Sequence, residues 1–343
     1  MYPITLTKNL ADIEICGMRL EELEHPDFRY PWEIVVWMRD NITQILKLKT
    51  QHASSAVRRR GGNHNLNMPH RQSAEEAELK TYDGQKNVYV GNNVAISQYV
   101  VFDASGGQIV IDDEVKVGSF SYIEGPCHIG KNCTIMPHSQ IRKNTSIGHH
   151  CKIGGEASGS IFQPFTNKAH HGFVGDSYVG SWVNLGAGTS TSNLKNTYGN
   201  VKCQMSLQYG GQANVKSNPN VKCQTAQGVE KIDTGQQFLG CVIGDYTKAA
   251  INTSIYTGKI IGVCAQLFGV IDENVGSFVM KLPNSQKQEF ELDAAIRCQK
   301  RMFERRGIEQ TEDDVKILER VFEETREERS KLKTQNLKPQ LKI

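Results

Sequence analysis

No stretch of this 343-residue chain approaches the run of about 18 apolar residues that a membrane-spanning helix needs, so no membrane partner is expected. Charge of one sign is lacking as well. Forty Lys and Arg against 37 Asp and Glu leave a net charge of +3, too little to point to nucleic acid as a partner. Proline is scarce at 10 residues, while 31 glycines suit many tight turns in a regular framework. The nine cysteines (16, 127, 133, 151, 203, 223, 241, 264 and 298) include no CxxC pair, which excludes a zinc knuckle or a thioredoxin-type site. They read as reduced thiols in a cytoplasmic setting. The opening MYPITLTKNLADIEI shows no basic segment followed by an apolar one, so no secretory leader is expected.

What the chain does have is a repeat. From residue 111 it reads IDDEVK, VGSFSY, IEGPCH, IGKNCT, IMPHSQ, IRKNTS, IGHHCK, IGGEAS. The first position is Ile111, Val117, Ile123, Ile129, Ile135, Ile141, Ile147 and Ile153, aliphatic and β-branched throughout. The fifth is Val115, Ser121, Cys127, Cys133, Ser139, Thr145, Cys151 and Ala157, small or slim throughout. The same register is expected upstream at Val90, Ile96 and Phe102, before a three-residue slip. Downstream it is expected at Phe173, Val179 and Leu185, and again at Ile243, Ala249, Ile255, Ile261 and Leu267.

A period of six fits neither a helix (3.6) nor a plain amphipathic strand (2). It fits a short strand plus a turn, repeated, with one aliphatic side chain per unit pointing inward. Three units close a coil of 18 residues, and coils stack at about 4.8 Å through parallel ladders. The first-position side chains then fill the axis, each buried Ile or Val contributing roughly 1.5–3 kcal/mol. The cysteines at 127, 133 and 151 fall where the wall is tight and read as packing groups rather than ligands.

The remaining segments do not repeat. Residues 1–50 read as a small α/β segment, with YPWEIVVWMRDNITQILKLK (30–49) at helical spacing. Residues 51–85, containing VRRRGGNHNLNMPHRQ, read as a polar linker. The Arg58–Arg60 run has the charge to touch phosphate, though a solvated linker accounts for it equally. The β-helical stretch spans 86–275, interrupted near 200–232, where NVKCQ occurs at 200–204 and 220–224 and NVK at 214–216. From 288 to 343 the pattern turns helical, with Thr311 followed by Asp314 as an N-cap region.

This repeat resembles the hexapeptide-repeat acyltransferases, whose fold is a left-handed parallel β-helix. The left hand comes from the resemblance, since general crossover rules favour the right. The expected fold class is therefore mainly β, a left-handed parallel β-helix with a small N-terminal α/β segment and C-terminal helices.

The resemblance sharpens at 170–193, HHGFVGDSYVGSWVNLGAGTSTSN. This looks like the acetyltransferase half of the bacterial enzymes that combine N-acetylglucosamine-1-phosphate uridyltransferase and glucosamine-1-phosphate acetyltransferase. Those carry His-x-x-Tyr-φ-Gly-Asp (φ, an apolar residue), then Val-Asn-φ-Gly-Ala-Gly-Thr, then an Asn. By resemblance, His170 falls on the general base and Asn184 and Asn193 on substrate contacts, with Gly175, Asp176, Gly186 and Gly188 matching. Aligned from Lys168-Ala169 instead, His171 takes the place of the base, so both histidines stay open. Gly186 and Gly188 let a pantetheine arm approach the backbone, or are turn glycines that the coil demands. Arg142 resembles the phosphate-binding arginine, or is an exposed corner residue.

The implied co-substrate is acetyl-CoA, with no metal. The implied acceptor is a sugar phosphate or sugar nucleotide, and the implied assembly a homotrimer. The chemistry suits a histidine. Transfer from a thioester to an amine needs the neutral amine, and imidazole, with a pKa near about 6.5, takes that proton. Glu156 is placed to orient an imidazole or is a solvated corner residue.

Departures from the pattern weigh against glucosamine 1-phosphate itself. Residues 153–167 contain no lysine, Phe173 replaces a tyrosine, and Leu194 stands where an aromatic is usual. The uridyltransferase half is not supported, because RRRGGN (58–63) lacks a preceding strand and a following helix. Two other readings compete. A non-catalytic scaffold or sugar-nucleotide binder fits the missing groups. A zinc-dependent hydratase of the γ-carbonic-anhydrase type shares the fold, but His128, His138, His149, His150, His170 and His171 lack its ligand spacing.

Overall fold

The computed structural model describes residues 3–59, 80–206, 229–330 and 332. Arg60 with the rest of the linker to 79, the NVK copies at 214–216 and 220–224, Cys223 and the tail from 333 lie outside the described residues. The fold is mainly β, a left-handed parallel β-helix with an N-terminal α-helix and C-terminal helices. The chain forms two compact units, Leu10–Tyr178, and Met1–Asn9 with Val179–Ile343.

In the unit Leu10–Tyr178, three ladders of parallel strands make the walls. Face I stacks Val88–Val90, Ile109–Ile111, Cys127–Ile129, Thr145–Ile147 and Ile161–Phe162. Face II stacks Ala95–Ile96, Lys116–Val117, Thr134–Ile135, Lys152–Ile153 and Asn167–Lys168. Face III stacks Val101–Asp103, Tyr122–Glu124, Gln140–Ile141, Glu156–Ser158 and Phe173–Gly175. Ile111, Ile129 and Ile147 lie opposite one another at the expected 18-residue spacing. The upstream slip is also present, since Val90 pairs with Ile111, 21 residues on. Every first-position residue from Ile111 to Ile153 and every fifth-position residue from Val115 to Ala157 is buried. Six of the eight hexads from Ile111 turn on a fourth-position residue in the left-handed region, such as Asn132 (φ 59°) and Asn144 (φ 59°).

The strict count of six fails after Ile153. Ala157 pairs with Ile141 at a spacing of 16, because the Gly154–Gly155 corner drops two residues. Phe162 then lies opposite Ile147, Lys168 opposite Ile153, and Val174 opposite Ala157. The inward residue of the last strand is thus Val174, fully buried, and not Phe173 as the repeat predicts. Phe173 pairs with Glu156 on the outer surface. A lysine, Lys168, occupies an axial position.

Helix α1 (Glu33–Arg59) runs nine residues into the stretch read as linker. Ile34, Val35, Met38, Ile42, Ile45 and Leu46 recur at helical spacing and are buried. Its first turn is anchored by Glu33, whose carboxylate accepts from the amides of Arg29 and Tyr30 at 2.6 and 2.9 Å. The segment from Leu10 to α1 covers face I, so even the outward residues Val110, His128, Ser146 and Ile161 are buried. Named bonds fix this cover. Cys16 N donates to Ser146 Oγ at 2.8 Å, Gln163 Nε2 donates to Glu14 O at 2.7 Å, and Arg39 pairs with Asp176 at 2.5 Å.

The deepest of these ties joins Lys49 of α1, Asp112 and His128. Lys49 Nζ lies 3.1 Å and His128 Nε2 2.9 Å from Asp112 Oδ2. A carboxylate only accepts, so Nε2 carries the proton. Burial opposes the charge on Asp112, but His128 and Lys49 outweigh it and bring the carboxyl down to about 2. Burial pushes His128 down in turn.

In the other unit, Asn184–Leu185, Lys248–Ala249, Gln266–Leu267 and Val279–Lys281 form one parallel wall, with further coil strands through Ile243, Ile255 and Ile261. The parallel strands continue past residue 275, where the sequence ends them. Lys202–Ser206 pairs antiparallel with Val229–Asp233 at the interruption. Helices α2 (Leu292–Glu304), α3 (Glu312–Glu324) and α4 (Arg326–Ser330) follow. Ala295, Leu318 and Val321 pack on Val263, Cys264 and Phe278 of the last coils. Arg329 is buried with its guanidinium 3.8 Å from the Phe322 ring centroid.

Thr311 caps α3 as its sequence predicts, its Oγ1 accepting from Asp314 N at 3.2 Å while Asp314 accepts from Thr311 N at 2.9 Å. Replacing Thr311 with Ala is expected to cost about 1 kcal/mol, read as a lowered chemical-denaturation midpoint. An unchanged midpoint would show that tertiary packing alone holds this helix.

Candidate active site

The outer surface of face III carries Tyr122, Gln140, Glu156 and Phe173 in one row, each opposite the next. Arg142, just past the strand Gln140–Ile141, donates from its backbone N to Ala157 O. Its side chain is 41% exposed, and its Nε donates to Glu124 Oε2 at 2.7 Å. The guanidinium stands 5.7 Å from the Tyr122 ring centroid, and Tyr122 OH donates to Asp103 Oδ2 at 2.8 Å. Hydrogen bonds from Ser105, and then from Tyr122, hold the Asp103 carboxyl below its ordinary range. Arg142 is therefore neither a bare corner residue nor a free phosphate hand, because one carboxylate already engages it.

The turn Ala169–Gly172 leads from face II into the strand Phe173–Gly175. It carries His170 and His171, both exposed, and no hydrogen bond of either ring is present among the described residues. Beneath it lies Lys168, 1% exposed. Its Nζ donates to Gly154 O at 2.6 Å, Gly172 O at 2.7 Å and His170 O at 3.1 Å. Burial pushes this amine down to about 8, with Glu156 opposing. Glu156 N in turn donates to Gly172 O at 3.0 Å. The turn also rests on glycine. A Cβ on Gly154 would lie 2.7 Å from Ala169 C, and one on Gly155 would lie 2.6 Å from Gly172 O.

Arg142 and Glu156 thus lie along face III, and the histidine turn is the corner of the same unit that leads into it. Glu156 is on the strand next to Phe173. Arg142 is two coils from it, about 10 Å along the stack. Lys168 is the functional candidate that residue-by-residue reading missed. The Lys-Ala pair ahead of the histidines was its only trace. Lys168 does not replace the missing phosphate lysine, since it is buried and spends its donors on carbonyls.

Asp176, which follows the motif glycine, pairs with Arg39 and fastens α1. In the other unit, Asn184 lies half-buried opposite Lys248, and Asn193 O accepts from Leu239 N at 2.9 Å. Gly186 and Gly188 are explained by packing. A Cβ on Gly186 would sit 2.6 Å from Ala250 C, and Gly188 (φ +78°) faces Asn252 at contact. Among the described residues, no three His, Cys, Asp or Glu side chains group as metal ligands do, and no helix is long and apolar enough to cross a membrane. The eight described cysteines form no disulfide with one another, and burial raises Cys16 to about 12, so its thiol is inert.

Residues 108–143 and 126–157 match the family "Bacterial transferase hexapeptide (six repeats)". The bifunctional protein GlmU of Legionella pneumophila subsp. pneumophila is 28% identical over 174 residues, covering 45% of this chain and 34% of that one. A bifunctional sugar-1-phosphate nucleotidylyltransferase/acetyltransferase of Sulfurisphaera tokodaii is 32% identical over 174 residues, covering 50% and 38%. Among solved structures, the UDP-N-acetylglucosamine acyltransferase of Arabidopsis is similar at a TM-score of 0.32 and 15% identity, covering 62% and 74%. The chain spans about a third of the length of the curated relatives it matches. Its repeat and its coils make the chain a hexapeptide-repeat, left-handed parallel β-helix, similar over part of its length to GlmU proteins.

Proposed function

We propose that the chain transfers an acyl group, acetyl in the first instance, from coenzyme A to the amino group of a sugar phosphate or sugar nucleotide. In this reading, His170 takes the proton from the attacking amine. The amine nitrogen bonds to the thioester carbonyl carbon, the C–S bond breaks, and the proton passes to the leaving thiolate. Asn184 and Asn193 contact substrate, and Arg142 contributes the guanidinium donors that Glu124 leaves unused. The site is completed in a homotrimer. The observation that carries this reading is the pair of exposed imidazoles without ring partners, on a turn that is rigidly seated and followed by the Gly175-Asp176 pair.

Two observations favour a second reading, a sugar-nucleotide-binding β-helix without turnover. Arg142 is already engaged by Glu124, and Phe173 offers no hydroxyl. A thiol-release assay with acetyl-CoA against a panel of amino-sugar phosphates and amino sugar nucleotides separates the two. Release of free CoA with at least one acceptor is the expected result. Measurable binding of CoA or of a sugar nucleotide, with no release for any acceptor, would establish the second reading.

A further inference from the structure

Lys168 occupies an axial position that Ile135 and Ile153 fill on the two preceding coils. A buried charge there costs far more than another isoleucine, so the ammonium must find strong partners. It finds three backbone carbonyls, and all three bear on one turn. Two of them, His170 O and Gly172 O, bracket His171. The third, Gly154 O, belongs to the coil beneath. The turn also touches backbone on that coil. Cβ atoms at Gly154 and Gly155 would lie 3.2 Å from His170 N and 3.0 Å from His171 Cα, so neither position admits a side chain without lifting the histidines.

The geometry points to Lys168 as a positioning residue, an internal ammonium that pins the Ala169–Gly172 turn to the coil below and so sets where His170 and His171 stand at the corner leading into face III. The inference rests on the reading that one of these histidines is the base. Lysine is the side chain whose three donors fan from one atom, matching three converging carbonyls. Methionine would fill the same space and leave all three without this donor. Above pH of about 8 the neutral amine keeps only two protons to donate, so the pin loosens. The charged and titratable groups around it are Glu156 from the adjoining strand and the two imidazoles of its own turn.

Two measurements test this. The first uses the unaltered protein. Amide hydrogen exchange at Glu156, whose N–H donates to the turn carbonyl Gly172 O at 3.0 Å, corrected for intrinsic base catalysis, should show protection that falls about tenfold as pH rises through about 8, while Ile129 and Ile147 keep theirs. The second compares wild type with Lys168→Met. The variant should lose the pH step, exchange at Glu156 at the faster rate throughout, and show kcat reduced by about a hundredfold with KM for acyl-CoA within about twofold. Glu156 protection that is flat across pH 7–9 in the wild type overturns the inference, as does equal protection in the variant. If no acceptor is turned over by either protein, the transfer reading fails. The exchange data still decide whether Lys168 pins the turn.

Discussion

Asp112→Ala is expected to cost the protein about 3–5 kcal/mol at neutral pH, the largest stability loss of any substitution considered for this chain. Asp112 is the acceptor shared by Lys49 from α1 and His128 from face I, at 3.1 and 2.9 Å. Its side chain is 12% exposed and that of His128 is fully buried, so solvent cannot replace the lost carboxylate. Removing it strands an ammonium between α1 and the coil and takes the partner from a buried imidazole N–H. Equilibrium urea denaturation measures the loss, and a variant with wild-type stability would refute this account of how α1 is held.

The same group carries a pH signature. Its carboxyl lies near 2 in the folded protein against an ordinary 3.8. A folded-state value below the unfolded one means the unfolded chain binds more protons, so the stability it contributes is complete above the unfolded value. That contribution, about 2 kcal/mol, is lost as pH falls from about 4 towards 2. In Asp112→Ala this part of the acid limb should be missing.

His170→Ala is expected to lower kcat by 10²–10⁴, roughly what a positioned general base contributes, with the KM for acyl-CoA little changed. His171→Ala is expected to stay within about tenfold of wild type. The two rings stand on one turn with neither tied to a neighbour among the described residues. The substitutions are therefore unlike those in the core, and circular dichroism should show both variants folded. The reverse pattern would assign the base to His171, the residue that aligns when the match is drawn from Lys168-Ala169. Near-normal rates in both variants would remove histidine from the chemistry and leave the acyl transfer without a base on this turn.

How the fold was legible, and where it stopped being so, follows from what a period can encode. Eight consecutive hexads announce a coil of 18 residues, because each buried wall position accepts only aliphatic or slim side chains. The sequence reads this without a structure, and Ile111, Ile129 and Ile147 indeed stack as counted. The helical spacing of 30–49 and the cap at Thr311 were legible for the same reason, since both are local. A corner that drops residues is invisible to counting. The short turn at Gly154–Gly155 drops two residues and the turn before Phe162 drops a third, and together they carried Lys168 into the axis and put Val174, not Phe173, inward.

Candidate site residues divide along the same line. His170 and His171 are apparent from the motif, because exposed chemistry-bearing groups leave a mark in a run of small residues. The pairing of Arg142 with Glu124 joins residues 18 apart in sequence, and the cluster of Asp112 draws on partners 16 and 63 positions away. No local pattern records such pairings, because only the stacking of coils and the docking of α1 bring those charges together. The sequence by itself determined the repeat, the hexapeptide architecture and the histidine turn. The tertiary structure alone decided that Gly186 and Gly188 lie against the next coil, that Arg142 is already engaged by Glu124, and that a buried Lys168 donates to three carbonyls at the turn. Burial turns an ordinary lysine into a fixed three-way donor only where three carbonyls converge on it, and that convergence exists only once the coils have closed.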